Sequence, residues 1–178
     1  ELHLYRKHGF DFKGLYVGGG TPTVNLDYLE QTLGLVRELF SASEISVETN
    51  PNHLTDKTIE RLKAAGTNRL SVGVQSFDDT ILRRIGRYEK YGSGDRIRQR
   101  VEPLVGEFDT LNIDLMFNLP LQTPESLSRD LDILEQLLPE QVTFYPLMVS
   151  PGIEKELTRT FGKVNFRTEK LLYFFILR

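Results

Sequence analysis

The 178-residue chain has no cysteine. Without a thiol it forms no disulfide, no thiolate zinc site and no iron–sulfur ligation through its own residues. Charge of one sign is also lacking, since 22 basic residues face 25 acidic ones for a formal net charge of −3. A dedicated nucleic-acid binder usually carries a strong positive field, so nucleic acid is not an expected partner. Long apolar runs are missing as well. The longest, Leu171 to Leu177, has seven residues, where a membrane helix needs about 20. No membrane partner is expected. Residues Glu1 to Gly14 are rich in charge, unlike a secretory signal, and a cytoplasmic location is expected. What is present is 39% hydrophobic and 26% charged residues. That is the composition of an ordinary globular protein, in a chain long enough for one domain and marginal for two.

The chain reads as alternating strands and helices. Leu15-Tyr16-Val17 is a short apolar run stopped by three glycines, and Asp27 to Phe40 has apolar residues at helical spacing. Glu44 to Glu48 alternates as a strand should. Thr55 to Ala65 is expected to be a helix with Thr55 as its N-cap and Gly66 as its stop. Arg69 to Gln75 reads as a strand, Asp78 to Ile85 as a helix, and Ser93 to Phe108 as a helix interrupted or bent near Pro103. Leu111 to Phe117 is a strand, and Pro124 to Leu138 a helix opened by an early proline. Val142 to Met148 is a strand and Thr168 to Leu177 begins another helix. Glu1 to His8 also reads as helix. The expectation is one incomplete domain over residues 1–178, cut at both ends.

Strand–helix–strand repeats give parallel strands with right-handed crossovers, in either a doubly wound sheet or a (β/α) barrel. The strand faces help to choose. Leu70, Val72 and Val74 alternate with Ser71, Gly73 and Gln75, and Ile113 and Leu115 alternate with Asn112, Asp114 and Met116. Ser46 and Glu48 share a face, as do Thr143 and Tyr145. A doubly wound parallel sheet is apolar on both faces; here only one face reads as helix-covered. The expected fold is therefore α/β, a partial (β/α) TIM-type barrel with parallel strands, outer helices and a polar lumen. Buried amides and carboxylates cost several kcal/mol each if unpaired, so lumen groups must meet one another, water or a ligand. A mutually bonded lumen without a ligand is the plain alternative to a site at the C-terminal strand ends.

Gly18-Gly19-Gly20-Thr21-Pro22-Thr23 follows a strand and precedes a helix. It matches neither a P-loop nor the dinucleotide fingerprint. It is joined, in order, by Val-Glu-Thr-Asn-Pro (Val47 to Pro51) and Asn-Arg-Leu-Ser-Val-Gly-Val-Gln-Ser-Phe-Asp (Asn68 to Asp78). Gly86-Arg87 and Asn-Ile-Asp-Leu-Met-Phe-Asn-Leu-Pro-Leu-Gln-Thr (Asn112 to Thr123) complete the set. Together these motifs closely resemble the radical S-adenosylmethionine family of oxygen-independent coproporphyrinogen III oxidase. Its relatives include haem chaperones and haem-degrading methyltransferases. The resemblance runs from about residue 14 to residue 150 and marks the family, not the member.

The resemblance implies a partial barrel holding S-adenosyl-L-methionine and a 4Fe-4S cluster in its lumen. It implies that the backbone of Gly19, Gly20 and Thr21 meets the methionine part of the cofactor and that Glu48 holds cofactor through its carboxylate. Gln75, Arg87 and Asp114 would contact a second S-adenosylmethionine, and Met148 would line the same site through its backbone. Bottom-up, Glu48, Gln75 and Asp114 are already the polar ends of the lumen face. The structural alternative is that Glu48 and Asp114 form ion pairs with Arg69 or Arg87. Arg87 lies in a basic segment that reads either as a solvated helix face or as a dock for tetrapyrrole propionates. His3, His8 and His53 read as surface residues, and no catalytic or metal-ligating residue is assigned within the chain.

Three departures from the family pattern stand out. Gly86-Arg87-Tyr88-Glu89 lacks a histidine common in relatives, and Phe117-Asn118-Leu119-Pro120 replaces Phe-Gly-Leu-Pro. The Cys-x3-Cys-x2-Cys cluster motif is missing, and the cluster ligands are expected upstream of residue 1. The reading is the core of an oxidoreductase acting on a tetrapyrrole or another small-molecule substrate. It would work by 5′-deoxyadenosyl radical hydrogen abstraction and oxidative decarboxylation, with a reductant protein as partner for the cluster. The fragment alone is expected to be inactive. The alternatives are a haem chaperone on the same fold and a cluster-free barrel binding a nucleoside or phosphate.

Overall fold

Alternation within the strands decides which layer each side chain joins. In the computed structural model, which describes residues 1–148, 152, 155, 158, 159 and 165–177, five strands form one all-parallel sheet in sequence order. They are β1 (Gly14–Val17), β2 (Glu44–Thr49), β3 (Arg69–Gln75), β4 (Thr110–Phe117) and β5 (Gln141–Pro146). Strands in sequence order, each followed by an outer helix, are the arrangement of a partial (β/α) barrel.

Val47, Leu70, Val72, Leu111, Ile113 and Leu115 fill the outward face and are fully buried. Helix α1 (Leu2–Lys7) precedes β1 and buries none of its residues, whereas α2 (Leu26–Leu39), after β1, and α3 (Asp56–Ala64), after β2, pack on this face. Three short helices, α4 (Asp79–Arg84), α5 (Tyr88–Tyr91) and α6 (Gly94–Val101), link β3 to β4. Helix α7 (Pro124–Leu137) links β4 to β5, and α8 (Phe166–Ile176) follows. Leu33, Leu62 and Ile97 meet the strands from α2, α3 and α6, each such burial contributing about 1.5–3 kcal/mol.

Local chemistry sets the helix ends. Asn25, Thr55, Asp78 and Ser93 each accept a backbone N–H of the following turn, and Thr123 and Ser126 form a reciprocal capping box. Gly66, at φ 92, releases the chain after α3, as its sequence position suggests.

The helix expected over Ser93 to Phe108 is interrupted near Pro103, and does not resume as α-helix. Helix α6 stops at Val101 and Pro103 sits in a 3-10 turn, Glu102–Leu104, because proline has no N–H and its ring clashes with the carbonyl four residues back. The strand expected to reach Met148 likewise ends at Pro146. Helix α5 has no counterpart in the sequence reading. Among the described residues, no helix is long and apolar enough to cross a membrane.

Candidate functional site

The lumen face is built in layers by the register. Near the strand starts, Arg69 donates to Ser46 Oγ at 2.8 Å and to Gln141 Oε1 at 2.8 Å, spanning β2 to β5. Above it, Thr143 donates to Asn112 Oδ1 at 2.9 Å, and Asn112 Nδ2 donates to Ser71 Oγ at 2.8 Å and Asp114 Oδ1 at 2.7 Å. The Ser71 hydroxyl then donates to Asp114 Oδ2 at 2.6 Å. Lumen groups at this depth satisfy one another, so the plain alternative holds for the floor.

Above the floor the groups diverge around a cavity of about 330 Å³. Of the residues singled out from sequence, Gly19, Gly20, Thr21, Glu48, Gln75, Arg87 and Asp114 all line it. Met148 is not among them; it lies past the end of β5 and is 77% exposed. Glu48 and Asp114 form no ion pair with Arg69 or Arg87. Glu48 instead accepts the Tyr16 hydroxyl on Oε1 and the Gly19 N–H, at 3.1 Å, on Oε2.

The chain is tightly packed where the loop leaves β1. A Cβ on Gly18 would come within 2.8 Å of Tyr16 Cε1 and 3.0 Å of the Glu48 carboxylate. Gly19 takes φ 116, and a Cβ on either Gly19 or Gly20 would meet open space. Their backbone therefore faces the cavity uncovered. Asn50 Nδ2 donates to Thr21 Oγ1 at 3.3 Å, tying the loop to the end of β2.

Arg87 enters from the N-cap of α5, its Nη1 donating to the Tyr91 hydroxyl at 3.3 Å. Lys90 and Tyr91 from the same short helix line the cavity beside it, and Tyr145 lines it from β5. The sequence marks neither Lys90, one more cation of the basic segment around Arg87, nor Tyr91 as a cavity residue, because α5 is a single turn with no periodicity to read. Tyr145 was legible through its shared face with Thr143. His53 departs from the expected surface role: it is half-buried, its Nδ1 2.7 Å from Thr23 Oγ1, which itself lies 2.7 Å from Thr49 Oγ1.

Electrostatically the cavity has two sides, carboxylates on the strands and cations on α5. Burial pushes the Asp114 carboxyl up; hydrogen bonds from Ser71 and Asn112 oppose this, and the Glu48 charge adds to it. Burial, and then the Glu48 carboxylate, raises the Tyr16 phenol so that it stays protonated. Tyr145 is raised by burial and by the Asp114 and Glu48 charges. A cationic group entering opposite Glu48 and Asp114 would relieve these strains.

The expected 4Fe-4S cluster is corrected by this inventory. The chain supplies no thiolate, and among the described residues no group of three or more His, Asp or Glu side chains is placed to hold a metal ion. The residues present do not fit an iron–sulfur cluster. An adenosylated amino acid does fit: carboxylates suit an ammonium or a ribose diol, cations suit a carboxylate, and open glycine backbone admits close approach.

Comparison with known proteins bears on the family and the fold. The Radical SAM superfamily pattern matches residues 1–134. Heme chaperone HemW of Bacillus subtilis (strain 168) is 36% identical over 150 residues, covering 79% of this chain and 38% of that protein. Oxygen-independent coproporphyrinogen III oxidase of Escherichia coli (strain K12) is 33% identical over 143 residues, covering 78% of this chain and 31% of the relative. The solved coproporphyrinogen III oxidase (HemN) from Escherichia coli, described as a Radical SAM enzyme, superposes with a TM-score of 0.71 at 29% identity. That match covers 94% of this chain and 39% of HemN. The chain thus spans well under half the length of these three relatives.

Proposed function

The chain belongs to the Radical SAM superfamily, and from that we propose that its cavity holds S-adenosylmethionine and presents it to a tetrapyrrole. The observation that carries this reading is the convergence of Gly19, Glu48, Gln75, Arg87 and Asp114 on one cavity of about 330 Å³, a volume within the usual range for small-molecule sites. Glu48 would hold a ribose diol or ammonium, with Tyr16 and Gly19 fixing its orientation. Arg87, with Lys90 beside it, would hold a carboxylate. Gly19, Gly20 and Thr21 would receive the methionine part along their backbone. Gln75 and Asp114 complete the opposite wall. When bound, S-adenosylmethionine supplies the 5′-deoxyadenosyl group through which radical enzymes take hydrogen from a substrate. This chain's residues bind it, orient it and exclude water around it.

The tetrapyrrole follows from the relatives, whose names point to coproporphyrinogen or to heme. The oxidase reading is oxidative decarboxylation of propionate side chains; the 36% identity to a heme chaperone favours delivery without turnover as the second reading. Calorimetry of the chain with S-adenosylmethionine tests the site: saturable one-to-one binding is expected, weakened by Glu48→Gln. Absence of binding at millimolar ligand overturns the proposal. A haem titration followed at the Soret band separates the two readings, since tight one-to-one haem binding by the chain favours the chaperone.

A further inference from the structure

We propose that Asp130 is a positioning residue: from the outer helix α7 it clamps the turn after β3 and so holds Gln75 in the cavity. Gln75 ends β3 at φ 75, where the register with β4 slips between Gly73 and Gln75. A long side chain in the left-handed region persists only where its surroundings hold it there.

The next two residues supply that hold. Ser76 Oγ donates to Asp130 Oδ2 at 2.8 Å, and the Phe77 N–H donates to Asp130 Oδ1 at 2.8 Å. The Asp78 N–H donates in turn to Ser76 Oγ at 3.0 Å. Asp130 is 1% exposed and Ser76 is fully buried. Leu127, Leu134 and Leu137 already give α7 its buried apolar positions, so the packing of the helix does not call for a carboxylate. Its two oxygens are spent on the turn.

Other contacts close the turn from opposite sides. A Cβ on Gly94, at the start of α6, would lie 1.7 Å from the Phe77 carbonyl oxygen, so α6 abuts the turn directly. On the cavity side, Gln75 Nε2 lies 3.0 Å from where a Gly73 side chain would begin. The amide thus lies over a glycine left bare for it.

The charged groups facing Asp130 are Asp78, from the turn, and Arg129, its neighbour on α7. Burial lifts the Asp130 carboxyl to about 6, with Asp78 adding to the rise and the hydrogen bonds and Arg129 opposing it. The clamp therefore changes protonation in an accessible pH range.

The consequence for ligand rests on the S-adenosylmethionine reading of the cavity, while the clamp itself does not, and two measurements on the full chain separate them. Without ligand, the Gln75 side-chain amide signal in 1H–15N spectra should titrate near pH 6. Asp130→Asn should abolish that titration, and Asp132→Asn, exposed on the same helix, should leave it intact. With S-adenosylmethionine, Gln75→Ala and Asp130→Ala should each weaken binding on the order of tenfold, one hydrogen bond's worth. The double variant should be no weaker than either single one. Asp130→Asn, which can still accept the Phe77 N–H, should recover most of the affinity, and Ser76→Ala replaces Asp130→Ala if the latter fails to fold. A Gln75 signal blind to pH and to Asp130→Asn, or additive losses in the double variant, overturns the proposal. A Gln75 signal that follows Asp130 in a chain that does not bind S-adenosylmethionine upholds the clamp and removes the ligand reading.

Discussion

Tyr16 on β1 donates its phenolic hydroxyl to the Glu48 carboxylate on β2. The two residues are 32 apart in sequence, and the parallel register of β1 with β2 puts both on the lumen face. The bond turns Glu48 toward the glycine loop, where the Gly19 N–H takes its other oxygen. Tyr16→Phe removes one of these two restraints and leaves the carboxylate charged. Its expected effect on S-adenosylmethionine affinity is a loss of roughly fivefold, against more than tenfold for Glu48→Gln. Calorimetry on both variants checks the order; equal losses would show that the phenol, not the carboxylate, governs the site.

Asp130 makes stability depend on pH with an unusual sign. Burial raises its carboxyl to about 6 in the folded chain, from 3.8 for the free group. The folded state binds the proton more tightly, so this contribution is complete below about pH 4 and is lost as pH rises through about 6. The expected loss is roughly 3 kcal/mol. Asp78 has the opposite sign. Burial raises it, but Arg129 and the N–H groups of Ile81 and Thr80 outweigh burial and hold it below the usual carboxylate range. Its contribution is lost as pH falls. Urea unfolding of the parent chain and Asp130→Asn between pH 4 and 7 isolates the Asp130 part as the difference between two curves. Parallel curves would refute it.

Gly94→Ala should be among the most damaging single-methyl additions in the chain. The new Cβ would sit 1.7 Å from the Phe77 carbonyl oxygen, and the Phe77 N–H is already pinned to Asp130. Backbone has to move on one side or the other. A destabilisation of about 3 kcal/mol or more is expected, read as a fall in urea midpoint. Gly34→Ala, where a Cβ meets open space within α2, should instead be neutral or stabilising by up to about 1 kcal/mol.

Asn112 is the junction of the lumen floor, accepting from Thr143 and donating to Ser71 and Asp114. Asn112→Leu removes three hydrogen bonds at once, to buried Ser71 and to half-buried Thr143 and Asp114. The expected cost is about 3–5 kcal/mol, together with a further rise of the Asp114 pKa, because one of the bonds holding its carboxylate ionised is gone. Thermal unfolding and the carboxyl 13C shift of Asp114 check the two parts separately.

Much of this molecule is written locally. Alternation of Leu70, Val72 and Val74 with Ser71, Gly73 and Gln75 fixes a strand with one polar face, because successive side chains must point to opposite sides. Thr55, Gly66 and Pro124 mark helix ends through capping, left-handed backbone and the missing proline N–H, all effects of a few neighbouring atoms. Collinear motifs single out Glu48, Gln75 and Arg87 near strand ends and turns, where a barrel puts its site, and Asp114 within β4.

The tertiary structure alone decided which lumen groups pair with one another and which border the open cavity. Nothing local distinguishes Asp114, bonded to Ser71 and Asn112, from Glu48, held by Tyr16 and Gly19, because strand register creates those partnerships across tens of residues. Likewise α5 is too short to carry a period, and Asp130 looks from sequence like any acidic residue on a solvated helix face. Its burial against the turn after β3 exists only once α7 has packed, since hydrogen-bond partners 53 residues apart meet through the fold and not through the chain.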